Sequence, residues 1–242
     1  MSPRMFSKFP VMLEPLESRT LMAGVTMLIH GHQGNITGWV AAAADAIAKR
    51  AGGSSQVSQY ILKVSKASSG GLTVKSFTQT RGPDLRKSST GEAIVKLDWT
   101  DVDDGSYSTE DVGNTVAAYM LKSHGTMRSL AELPMQFIGH SRGASVAVVI
   151  SKRLGEAGVW VDQDTFLDPH PVPDLFGFGY DDAPMRVYAN TIFADNYWRT
   201  DGDAFNFDPD GESVDGAHNV NLDDTVQKHN VVSAHVAVTS YY

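Results

Sequence analysis

Between Met135 and Gly158 the chain runs through a short apolar segment, Met135-Gln136-Phe137-Ile138, a five-residue turn, Gly139-His140-Ser141-Arg142-Gly143, and an apolar-periodic stretch, Ala144 to Leu154, closed by Gly155 or Gly158. A strand that enters a helix through so tight a turn has few ways to pack. The helix folds back over the strand, and the next strand lies parallel to the first. The same alternation recurs along the chain. Gly24 to Gly31 (GVTMLIHG) reads as a buried strand, and Trp39 to Arg50 as an alanine-rich helix with basic residues in its last turn and Gly52-Gly53 beyond it. Gln59 to Val64 and Leu72 to Phe77 alternate like the arms of an antiparallel hairpin, and Glu92 to Trp99 reads as a strand. Thr109 to His124 reads as a helix capped near Thr109 and Asp111, while Asp164 to Leu167 and Met185 to Phe193 read as further strands. Such alternation predicts a mostly parallel sheet covered by helices on both faces, an α/β architecture. No large insertion that could form a cap domain lies between Ile138 and Asp168.

The 242 residues are 42% apolar, enough for one domain with a substantial core, and no internal repeat or linker divides them. The net charge of −8 leaves no basic stripe to neutralise phosphates, which argues against nucleic acid as a partner. There is no cysteine, so disulfides, thiolate nucleophiles and cysteine-ligated zinc are excluded. No stretch reaches the roughly 18 apolar residues of a membrane span. Residues 1–23 form a segment apart from the domain at 24–242. Arg4 and Lys8 precede an apolar run, Phe9 to Leu13, too short for an ordinary secretory leader.

The chemistry concentrates on Ser141. A serine at the centre of G-x-S-x-G, between a strand and a helix, sits on a strained turn near a helix N-terminus with its hydroxyl exposed, the arrangement of a nucleophile elbow. In these residues the chain resembles the α/β-hydrolase superfamily, from about Val25 to the C-terminus. The resemblance implies an oxyanion hole made by the backbone N–H of Arg142 and by one from the loop after His30-Gly31, His32 first and Gln33 next. Only backbone roles are implied for these residues; a metal site at His30-x-His32 lacks a carboxylate at a familiar spacing.

A serine at its ordinary pKa needs a proton acceptor, and histidine is the residue poised near neutrality. In the superfamily the base follows the acid in chain order, which leaves His218, His229 and His235. His235 is favoured because Tyr241 and Tyr242 follow it, as paired aromatics follow the base in related bacterial hydrolases. For the acid, Asp168 in Phe166-Leu167-Asp168-Pro169 competes with Asp195 in Phe193-Ala194-Asp195-Asn196. Asp168 resembles the Leu-Asp-Pro element of lipases of the pancreatic type, and Pro169 fixes a turn that holds its carboxylate still. The expected triad is therefore Ser141, Asp168 and His235, needing no cofactor.

Asp201 to Asp224 holds eight acidic residues and no Lys or Arg, and reads as a long loop. Asn206-x-Asp208-x-Asp210-Gly211 looks like the start of an EF-type calcium loop, but Ala217 stands where the bidentate Glu belongs; a solvated acidic loop is preferred to a calcium site. Trp39, Tyr107, Phe176, Phe178, Tyr180 and Trp198 are candidates to line an acyl cleft or to pack. Leu13 to Ala23 (LEPLESRTLMA) resembles the LEPLE-x-R-x-L signature near the start of many exported and surface proteins of one bacterial lineage, implying secretion or surface display, with a cytoplasmic location as the alternative; an unstructured tail, a short amphipathic helix and a lid over the site are the other readings of this segment. The expected function is hydrolysis of a small-molecule or lipid ester by a lipase- or esterase-like serine hydrolase. The alternatives are an amidase or acyltransferase on the same triad, and a noncatalytic binding module on the same fold.

Overall fold

The computed structural model describes residues 24–53, 55–85, 92–104, 106–172, 181–200, 210–223 and 234–242. Eight strands form one sheet: β1 (Val25–Ile29), β2 (Ser58–Lys66), β3 (Leu72–Arg81), β4 (Ala93–Asp98), β5 (Met135–His140), β6 (Val161–Leu167), β7 (Thr191–Trp198) and β8 (His218–Asn221). Their order is β3-β2-β4-β1-β5-β6-β7-β8. Every neighbouring pair is parallel except the hairpin β2–β3, which makes β3 an antiparallel edge. Among the described residues four α-helices accompany the sheet: α1 (Trp39–Arg50), α2 (Thr109–Met120), α3 (Arg142–Glu156) and α4 (Ala234–Tyr241).

The side-chain alternation of the central strands explains why both faces are covered. Met27 and Ile29 of β1, Val95 and Leu97 of β4 and Phe137 of β5 join Val112, Val116 and Met120 of α2 and Val146 and Ile150 of α3 in one core cluster. Leu28, Ile94 and Ile138, pointing the other way, join Val40, Ala44 and Ala48 of α1 and Val238 of α4 in a second. Each Val, Leu or Ile fully buried in these layers contributes roughly 1.5–3 kcal/mol. The architecture is that of the α/β-hydrolase fold, with helices on both faces of a mostly parallel sheet.

Several boundaries differ from expectation. The cap of α2 is Ser108 rather than Thr109: the Ser108 hydroxyl accepts from the Asp111 amide and the Asp111 carboxylate accepts from the Ser108 amide, a complete capping box. The expected strand over Met185–Phe193 starts later, at Thr191, and runs to Trp198. Val187 donates its amide to the Asp215 carbonyl instead of to a sheet neighbour, and pairing begins only at Val161↔Thr191. Ile192 and Phe193, which made the segment look like strand interior, are exposed, while polar Asp195 and Asn196 are buried. Part of the expected acidic loop is β8, carrying His218. The segment 1–23, where an export signature was expected, lies outside the described residues, as do Phe176, Phe178, Tyr180, His229, Asn206 and Asp208. No described helix is long and apolar enough to cross a membrane.

Candidate active site

Ligand sites in open parallel sheets collect at the carboxyl ends of the strands. Here the ends of β1, β5, β6 and β7 deliver His30, Ser141, Asp168 and Arg199 to one edge. Ser141 has φ 56° and ψ −129°, a conformation costly for a residue with a Cβ. Its amide donates to the Leu167 carbonyl at 3.0 Å, tying the elbow to the end of β6. The flanking glycines are required by close approach. A Cβ on Gly139 would stand 2.5 Å from the Gly143 carbonyl oxygen, and one on Gly143 would stand 2.5 Å from the carbonyl oxygens of Ile29 and His30. The motif thus lets the elbow nest against both α3 and β1.

Among the described residues, three non-glycine positions have positive φ: Gln33, Ser141 and Asp168. They belong to the loop after β1, the serine turn and the residue that follows β6, so positive φ is gathered along one edge of the sheet.

Asp168 follows β6 directly and is fully buried. Its Oδ2 accepts from His235 Nδ1 at 2.6 Å, and its Oδ1 accepts from the Arg199 amide at 2.8 Å. A Cβ at Gly211 would lie 2.2 Å from Oδ1, so the acidic segment closes against this carboxylate at Gly211 with no room for a side chain. With Nδ1 donating to a carboxylate, the neutral His235 ring keeps Nε2 as its proton acceptor. His235 stands at the start of α4, brought across from the C-terminus. His140, the second residue of the motif, holds it there: His140 Nε2 donates to the His235 carbonyl at 3.1 Å and the two rings lie 4.5 Å apart. Burial and the neighbouring His235 press the pKa of His140 down to about 3, so it is neutral near pH 7.

Asp195, the competing acid, lies within β7 and not after it. Its Oδ1 accepts from Thr165 Oγ1 at 2.7 Å and from Gln163 Nε2 at 3.4 Å, both on neighbouring β6. His218 is exposed and faces Asp195 only through the backbone register of β7 and β8. The structure therefore pairs His235 with Asp168 and leaves Asp195 and His218 outside the pairing.

The loop after β1 and the first turn of α3 border the same cleft. Gly34 donates its amide to the Gly31 carbonyl at 3.1 Å, closing a tight turn over His32 and Gln33. The Arg142 amide is at the first turn of α3, where backbone N–H groups have no intrahelical acceptor and the helix dipole favours negative charge. A cleft of about 710 Å³ is lined by His32, Trp39, Ser141, Arg142, His170 and His235 among others. Trp39 packs edge-on against His140. Tyr107 packs against the core, and Trp198 ends β7 half-buried.

Sequence reasoning missed the support beneath the elbow. It gave Arg142 a backbone role, but the side chain turns inward and forms a buried bidentate ion pair with Asp182, Nε to Oδ2 at 2.6 Å and Nη2 to Oδ1 at 2.7 Å. Asp182 also accepts from the amides of Thr109 and Val172, and Arg142 Nη1 donates to the Asp103 carbonyl. The N-termini of α2 and α3 and the loop after Asp168 are thereby knotted together. No linear signal pairs Arg142 with a residue 40 positions away. Behind this knot His30 stacks on Trp99, and burial lowers its pKa; burial raises that of Asp103 to about 6.

No described group of three or more His, Asp or Glu side chains is arranged to hold a metal ion. Asp210, the described member of the calcium-loop-like triplet, offers its carbonyl to His170 Nδ1 at 2.9 Å.

An elbow serine, a carboxylate-paired histidine and a loop after the first parallel strand, on a sheet of this topology, define an α/β-hydrolase fold with a triad-like site. No family model and no curated protein matches the chain. Solved structures that are similar at a low level include two bacterial proteins. A Listeria innocua gene product matches with 17% identity and a TM-score of 0.39 over 63% of this chain and 53% of its own, so that this chain spans about half of that relative's length. A Lactobacillus plantarum WCFS1 protein named a "putative cell surface hydrolase" matches with 10% identity and a TM-score of 0.40 over 74% of this chain and 68% of its own.

Proposed function

We propose that the protein is a serine hydrolase that cleaves carboxylic esters through an acyl-enzyme. The observation that carries this reading is the 2.6 Å bond from His235 Nδ1 to the buried Asp168 carboxylate, beside a strained elbow serine in the same cleft. In the first half-reaction His235 Nε2 takes the Ser141 hydroxyl proton as Oγ bonds to the ester carbonyl carbon. The tetrahedral oxyanion accepts hydrogen bonds from the amides of Arg142 and His32, each worth about 3–4 kcal/mol in such sites. The imidazolium, stabilised by Asp168, then gives its proton to the departing alkoxide as the C–O bond breaks. In the second half-reaction water, deprotonated by His235, attacks the acyl-enzyme and releases the acid and the free serine. The chemistry needs no cofactor.

The neutral His140 supports the same reading: a charged ring 4.5 Å from His235 would oppose formation of the imidazolium, and burial keeps that charge away. Export or surface display, suggested by Leu13 to Ala23, fits an enzyme acting on esters outside the cell.

The test is turnover of a p-nitrophenyl ester series by the full chain and by Ser141→Ala. Loss of at least about 10³-fold in kcat with unchanged melting temperature is expected. Ester turnover retained by the folded variant would refute the assignment.

A further inference from the structure

We infer that His170 and His32 recognise hydroxyl groups on the substrate, so that the preferred substrates are esters of hydroxylated alcohols such as glycerol rather than of simple alkanols; this rests on the serine-hydrolase reading. Both rings line the cleft that holds Ser141 and His235. Each is bound at Nδ1 by a backbone carbonyl oxygen: His170 to Asp210 at 2.9 Å and His32 to Asp103 at 2.7 Å. A carbonyl oxygen only accepts, so Nδ1 must carry the hydrogen in both rings. The tautomer is thereby set, and Nε2 of each neutral ring is a hydrogen-bond acceptor with no partner among the described residues.

Two such acceptors in one cleft select for donors. Two other polar side chains that line the cleft are already engaged, and Gln33 is the remaining one. The Arg142 guanidinium is committed to Asp182, Asp103 and Tyr107, and the Asn35 side-chain oxygen accepts from the amides of Thr37 and Gly38. Arg142 is the only Lys or Arg among the described lining residues, which leaves no cation to welcome an anionic headgroup. A neutral, hydroxyl-bearing group fits what remains.

The placement points to the alcohol part of the ester. His235 must reach the leaving oxygen to protonate it, and the His170 ring stands edge-on to His235 with centroids 6.3 Å apart. His170 therefore flanks the leaving group, immediately after the acid at Asp168. His32, in the loop after β1, lines the same cleft and offers a second acceptor.

The experiment measures binding without turnover. Ser141→Ala protein is titrated by NMR with glycerol 1-monobutyrate and, separately, with ethyl butyrate. Each neutral hydrogen bond gained is expected to favour the glycerol ester by about two- to twelvefold in Kd. His170→Phe, which keeps a flat ring of similar size, should erase most of that preference. His170→Gln, whose amide oxygen can accept near the Nε2 position, should restore part of it. Equal Kd values for the two esters would overturn the inference, as would a glycerol preference that survives both His170→Phe and His32→Phe. The binding ratio does not depend on hydrolysis, so failure of the wild-type protein to turn over any ester would count against the catalytic reading alone.

Discussion

Asp168 and Asp195 are chemically equivalent side chains that the fold places in different situations. Asp168 leaves the sheet with φ 47°, receives the Arg199 amide on one oxygen and His235 on the other, and is excluded from water. Asp195 stays within β7 and is satisfied by side chains of β6. Asp168→Asn should lower kcat by up to about 10⁴-fold, because an amide can hold the imidazole in the wrong tautomer. Asp195→Asn should lower it less than tenfold; a steady-state comparison of the two on one ester checks the ranking, and the opposite order would move the acid to β7. The sequence was most legible at this scale. Ser141 and its glycines announce themselves because close backbone contact requires that pattern locally, and Pro169 marks the proposed acid. The His140 clasp on His235 was not legible, since the contact joins residues 95 apart.

At the scale of elements, the proposed triad depends on how α2 and α3 are anchored. The Arg142–Asp182 pair, with the Thr109 and Val172 amides on the same carboxylate, fixes both helix N-termini beside the cleft. Removing one partner of a buried pair leaves an uncompensated charge. Asp182→Ala is therefore expected to cost about 3–5 kcal/mol in chemical denaturation, and a loss under 1 kcal/mol would show that the knot carries little. Helices α1, α2 and α3 and the central strands β1, β4, β5 and β6 were readable from apolar periodicity, whereas α4 was not expected as a helix. Strand β7 was displaced by several residues because its buried positions, Ala194 to Asn196, are small or polar, whereas its apolar Ile192 and Phe193 face solvent. Hydrophobic patterning misplaces a strand whose interior is held by side-chain hydrogen bonds, and β8, only His218–Asn221, had no apolar run to mark it.

For the molecule as a whole, two buried titrating groups tilt stability in opposite directions with pH. Asp164, buried with hydrogen bonds from Ser151 and Thr191, has its pKa raised by burial from 3.8 to about 7. Its contribution is full below the unfolded value of 3.8 and is lost as pH rises through about 7. His140, depressed from 6.5 to about 3, acts oppositely: its contribution is full above 6.5 and is lost as pH falls through about 3. Asp164→Asn should remove the first slope, so that its melting temperature relative to the parent rises between pH 5 and pH 8; a constant difference across that range would contradict the assignment. The α/β class and a single domain were legible from the alternation of strands and helices. The pairing of distant residues that turns that framework into a site was legible only where chain order in a known family supplied it. The most direct test of the central claim is covalent labelling of the full chain with a fluorophosphonate, followed by peptide mass spectrometry. The account predicts one adduct, on Ser141, absent in Ser141→Ala and formed far more slowly in Asp168→Asn and His235→Ala. No adduct on the folded protein, or an adduct on another residue, would contradict it.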